Sequence, residues 1–120
     1  MIELMVVMSL IVVFASLALV QYRYSVIRAR EAVLKEDLFR LRDAIDQYHA
    51  DRNHYPPRLD DLVTDGYLRQ IPVDPMTDST ATWQGVPAEP QPGDEFDPGI
   101  YDVKSGSEGI AMDGTRYTDW

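Results

Sequence analysis

The sequence predicts an α+β fold, in which one long N-terminal helix, transmembrane in its first part and amphipathic in its second, packs on a small antiparallel sheet domain. Three observations carry that prediction. Residues 1–20 read MIELMVVMSLIVVFASLALV, with Glu3 as the only ionisable side chain. No Gly or Pro interrupts the chain from Met1 to Asn53. Beyond Asn53, short apolar segments alternate with Pro- and Gly-containing turns.

The first element, residues 1–24, is expected to be a transmembrane helix segment. Twenty residues at 1.5 Å each span about 30 Å, the thickness of a bilayer's hydrocarbon. A secretory signal peptide would open on a basic region and close on a small-residue cleavage site. Neither is present here, and the apolar run passes straight into a charged helical pattern, so it is expected to stay in the mature protein. The next element, residues 25–53, is the amphipathic part of the same helix. Ile27, Leu34, Leu41 and Tyr48 recur at sevens, with Leu38 and Ile45 offset by four. That spacing draws one apolar stripe, and Ile27, Leu34, Leu38, Leu41 and Ile45 are its expected buried members. A coiled coil would use the same period, but so few heptads followed by a compact domain favour an intramolecular stripe. Together the two elements make a continuous helix of about 78 Å.

Residues 54–120 form a loop and a small β region. Tyr55, Pro56 and Pro57 lead into a short helix over 59–64, with Gly66 as its cap. Tyr67, Leu68 and Ile71 return to the core before Pro72 and Pro75 impose extended chain. The proline-rich, polar stretch 76–99 is expected to be a loop with one short strand around 81–84. Residues 100–104, IYDVK, alternate as a strand does. After a turn at Gly106, a last strand around 109–112 is expected to pair with it. Asp113-Gly114 and a tail ending in Trp120 follow.

Composition bounds the function. One hundred and twenty residues suit one domain plus an anchor. With no Cys, neither a disulfide nor thiol chemistry nor a zinc–thiolate site can form. The net charge is −9, and residues 53–120 carry thirteen acids against four bases, whereas residues 1–52 carry seven of each. That imbalance argues against nucleic acid and towards solvation, cations or basic partners.

The residues around Glu3 also carry a likeness. IELMVVMSLIVV, then Ala15 to Leu19, then a helix ending in YHADRNHYPPRLDDLVTDGYLRQIPVDP, resembles the type IV pilin-like superfamily. Within it, the sequence is most similar to the major, G-type pseudopilins of type II secretion systems. The resemblance implies a pilin-like fold and a structural, non-enzymatic subunit. Such a subunit polymerises through its N-terminal helix into a periplasmic filament that drives protein export. It implies a single pass through the bacterial inner membrane with residues 25–120 in the periplasm. The implied partners are further copies, minor pseudopilins, an inner-membrane assembly platform and membrane lipid. It also implies a cleaved leader and an N-methylated first residue. The chain departs from the pattern there, with Met1 where Leu is usual, no Phe and no leader, so the start is expected to lie upstream. Val20 stands where the family carries a proline, so the helix is expected to be straighter. A type IV pilus subunit, or a monomeric membrane-anchored exported binding module, is the alternative. Arg23, Arg28 and Arg30 follow the apolar segment, and the positive-inside rule alone would place that end in the cytoplasm.

Two places offer functional chemistry. Glu3 is either an acid near enough to the helix start to snorkel into headgroup water, or a subunit-assembly residue that pairs with a neighbour's amino terminus. The run YDVKSGSEGIAMDGTRYTDW sets Asp102, Glu108, Asp113 and Asp119 among glycines. These residues are ordinary turn formers, and no EF-hand spacing is present. The resemblance implies calcium in this loop, with Glu108, Asp113 and Asp119 as ligands. His49 and His54 lie five apart, the wrong spacing for a metal pair on a helix, and read as surface histidines. No nucleophile, base and orienter assemble, so no enzyme is expected. Tyr22 and Tyr24 sit where an interfacial aromatic belt belongs, while Tyr48, Tyr55 and Tyr67 are expected to pack.

Overall fold

The computed structural model describes residues 1–90, 92 and 98–120. Its elements run α1 (Ile2–Arg52), α2 (Asp60–Thr64), β1 (Gln84–Pro87), β2 (Ile100–Lys104) and a 3₁₀ turn, Tyr117–Asp119. The chain is therefore α+β. It divides into two compact units, Met1–Arg30 and Glu31–Trp120. Part of the expected proline-rich loop, residues 91 and 93–97, lies outside the described residues.

The first unit is helix from Ile2 onwards, and every side chain from Met1 to Ser25 is exposed. Its apolar window has a mean hydropathy of 2.6 with nothing buried, so by length and composition the helix can cross a membrane. Ile27 does not join the core as expected. It lies in this unit and remains 42% exposed. Periodicity identifies a face of a helix but does not say what covers it.

In the second unit the expected stripe is buried. Leu34, Leu41 and Ile45 are fully covered, Leu38 and Tyr48 nearly so, and Ala44 and Asp37 join them. Leu62, Trp83, Val103, Ala111 and Tyr117 complete the core. Trp83 sends its indole N–H to the Pro72 carbonyl at 2.7 Å, so its one polar atom is satisfied. Helix α1 stops at Asn53, which takes the left-handed φ of 60° that Asn tolerates better than most side chains. The short helix α2 ends at Thr64, and Gly66, two residues on, takes φ 86°. There Tyr67 N–H reaches the Leu62 carbonyl and Gly66 N–H the Val63 carbonyl, the paired bonds of a Schellman cap.

The sheet has two antiparallel strands, with Gln84 opposite Lys104 and Gly85 opposite Val103. Strand β2 falls where alternation placed it. The strand expected at 81–84 begins instead at Gln84 and ends on Pro87, which an edge position allows because no ladder N–H is required there. The strand expected at 109–112 does not form, and β2 pairs with β1 instead. At Ser105 the chain leaves the sheet, because the buried Ser105 hydroxyl turns to Asp74 and Gly106 presses on the Thr82 carbonyl, where a Cβ would collide. Residues 109–117 then fold on themselves, with Ile110 bridging Arg116 and Ala111 N–H reaching the Thr115 carbonyl at 2.7 Å.

Candidate functional site

Glu3 lies in the first turn of α1, where a carboxylate is favoured by the exposed N–H groups of the helix start. Three polar side chains interrupt residues 1–20. Ser9 donates to the Met5 carbonyl at 2.8 Å and Ser16 to the Val12 carbonyl at 2.9 Å, so both hydroxyls are satisfied within their own helix. Glu3 has no hydrogen bond or ion pair among the described residues. Among the described residues it is thus the one polar side chain of residues 1–20 left for something outside the helix to satisfy.

The C-terminal loop is the second candidate, and it is held by side chains that sequence reasoning did not single out. Glu31 Oε1 accepts both Met112 N–H and Tyr117 O–H at 2.9 Å. Asp74, fully buried, accepts Ser105 O–H at 2.6 Å on one oxygen and Met76 N–H at 2.9 Å on the other. Arg42 donates to Asp102 at 2.7 Å, to the Val103 carbonyl and to the Trp120 carbonyl. Asp74 had a visible signal, since an Asp before Pro is a turn former whose side chain bonds two residues on. Glu31 had none, because its partners lie 81 and 86 residues away.

The residues expected to bind calcium all lie in the C-terminal segment after β2. Glu108 and Asp119 are exposed. Asp113 Oδ1 accepts both the N–H and the hydroxyl of Thr115, at 3.0 and 2.6 Å. Those two bonds, with a smaller contribution from Lys35, hold its carboxyl below the usual aspartate range. Asp113 lines a groove of about 390 Å³ together with Lys35, Leu38, Phe39, Arg42 and Trp120. Lys35 Nζ stands 4.8 Å over the Trp120 ring. Among the described residues no three His, Asp or Glu side chains group as a metal would require. As placed, Glu108, Asp113 and Asp119 do not make a ligand set.

Burial, and then the Glu31 hydrogen bond, push the Tyr117 hydroxyl up to about 12. Asp37 is also raised, chiefly by burial. His49 stacks on Tyr55 with ring centroids 4.2 Å apart, and His54 meets the edge of Tyr48 at 5.5 Å. The two histidines therefore serve the helix end as rings. Tyr48 and Tyr67 pack at 5.4 Å, while Tyr22 and Tyr24 are exposed beside the apolar segment. No family model, curated protein or solved structure matches the chain.

Proposed function

We propose that the chain is a structural subunit of a type II secretion pseudopilus, polymerising through its N-terminal helix into a periplasmic filament that drives protein export. On this reading a single pass anchors it in the bacterial inner membrane with residues 25–120 in the periplasm. Its partners are other copies of itself, minor pseudopilins and the inner-membrane assembly platform. The supporting observation is Glu3, an exposed carboxylate with no partner among the described residues, in an apolar segment whose two serines bond their own helix. An acid there costs a few kcal/mol in hydrocarbon. Pairing with the amino terminus of a neighbouring copy would offset that cost for both charges.

The test is cross-linking in membranes at matched expression. Glu3→Leu should abolish assembly, and Glu3→Asp, one methylene shorter, should retain part of it. Wild-type assembly by Glu3→Leu would return the chain to a monomeric membrane-anchored module. Calcium belongs to this reading as a support for the C-terminal loop, and because the carboxylates as placed do not suffice, backbone carbonyls would have to complete the shell. The expected result is a higher melting midpoint in calcium than in chelator, with Glu108→Ala removing the difference. Equal midpoints would leave the Glu31 and Asp74 hydrogen bonds as what closes the loop.

A further inference from the structure

The first unit carries a cationic strip. Arg23, Ile27 and Arg30 fall at i, i+4 and i+7 and so share one face of α1, while Arg28 lies about 100° round the helix from Ile27 and faces elsewhere. All three arginines are exposed, and none has an ion pair or hydrogen bond among the described residues. Ile27, between them, is 42% exposed. No acidic residue lies between residues 4 and 30.

The second unit has the opposite character. Residues 31–120 hold nineteen Asp and Glu against eight Lys and Arg. Five of those bases, Arg40, Arg42, Arg52, Arg58 and Lys104, already face carboxylates of the same unit. Identical copies brought side by side would therefore repel through these units unless cations came from elsewhere.

From this charge complementarity, and resting on the assembly proposed above, we infer that the strip of Arg23, Ile27 and Arg30 docks against the acidic Glu31–Trp120 unit of a second copy. Ile27 supplies the apolar centre and the arginines its charged rim. Anionic lipid is the competing occupant, and helix rise separates the two. Arg30 stands about 9 Å beyond residue 24, the end of the transmembrane segment, along α1. The headgroup layer is only about 5 to 7 Å deep on each side of the hydrocarbon. Arg23 can meet a phosphate, whereas Arg30 rises past that layer.

The experiment uses the full chain reconstituted in phosphatidylcholine vesicles and, in parallel, in phosphatidylglycerol vesicles, with cross-linked dimer as the readout. Arg23→Glu combined with Arg30→Glu should lower the cross-linked fraction about tenfold in both, since like charges across an interface are strongly unfavourable. Lysine at both positions should keep most of it, and Ile27→Ala should lose part. Because these side chains are exposed, the melting midpoint should stay at the wild-type value. Wild-type cross-linking by the double glutamate variant in phosphatidylcholine, or a loss confined to phosphatidylglycerol, would overturn the inference, the second result assigning the strip to lipid. Glu3→Leu runs alongside to separate the two proposals. If Glu3→Leu assembles and the double glutamate variant does not, the Glu3 pairing fails and the strip stands, and the reverse pattern removes the strip alone.

Discussion

The two units use one helix in opposite ways. In Met1–Arg30 the apolar side chains point outward all round, with Leu10 51% and Phe14 65% exposed. In Glu31–Trp120 the same α1 buries Leu34, Leu38, Leu41 and Ile45 on one face and shows charge on the others. Backbone geometry is common to both, so it does not decide burial. The distribution of charge around the helix does: an all-round apolar surface calls for an apolar medium, and a one-sided stripe for a folded partner.

Truncation should break this comparison most sharply. Leu41→Ala removes a fully buried side chain and should cost about 2 to 5 kcal/mol of stability in denaturant unfolding. Leu10→Ala, on the exposed surface of the first unit, should leave the unfolding midpoint unchanged. A midpoint that moved equally for both would mean that the units unfold as one.

Next in size is Asp74→Ala. It strands the buried Ser105 hydroxyl and the Met76 N–H, each costing about 1 to 3 kcal/mol when left without a partner. Residues 105–120 should then be cut by protease before the rest of the unit. Uniform digestion would show that Asp74 does not govern the loop.

Tyr117 sharpens the comparison through pH. Its folded value lies near 12 and its ordinary value is 10.0. Above pH 10 the unfolded chain releases the proton while the folded chain keeps it, so stability should fall as pH rises from about 10 to about 12. Glu31→Gln should shift the tyrosinate absorbance transition downwards and narrow that window. An unmoved transition would leave burial alone as the cause.

The smallest effect belongs to Arg40→Ala. Arg40 and Glu36 pair at 3.2 Å one helical turn apart, with side chains 66% and 58% exposed. Such pairs contribute about 0.3 to 0.5 kcal/mol and fade with salt. A loss as large as that for Leu41 would place Arg40, not Leu41, on the buried face.

What the sequence made legible follows from the range of each interaction. Leu34 to Tyr48 and the strand Ile100–Lys104 were readable because burial imprints a local period on consecutive residues. Ile27 continued the period without the burial, since a cover is a tertiary fact. The expected pairing of 109–112 failed because β2 takes its partner from upstream, at β1, where the sequence offered glycine and proline. Glu31 and Arg42 looked like two more charges on a solvated helix. Their roles depend on residues sixty or more positions away, and no local pattern reports that.

The distance between Glu31 and Tyr117 also bears on how the protein is made. Ala111 and Tyr117 belong to the same core as Leu34 and Leu38, so that core cannot close until residue 117 is available to it. Throughout synthesis the leucine stripe of α1 stays uncovered, held only by local helical bonds. Chains whose native contacts span such separations fold late and expose apolar surface meanwhile. For this protein, the interval before residue 117 emerges is when a holdase would be needed most, and the clasp by Glu31 marks its end.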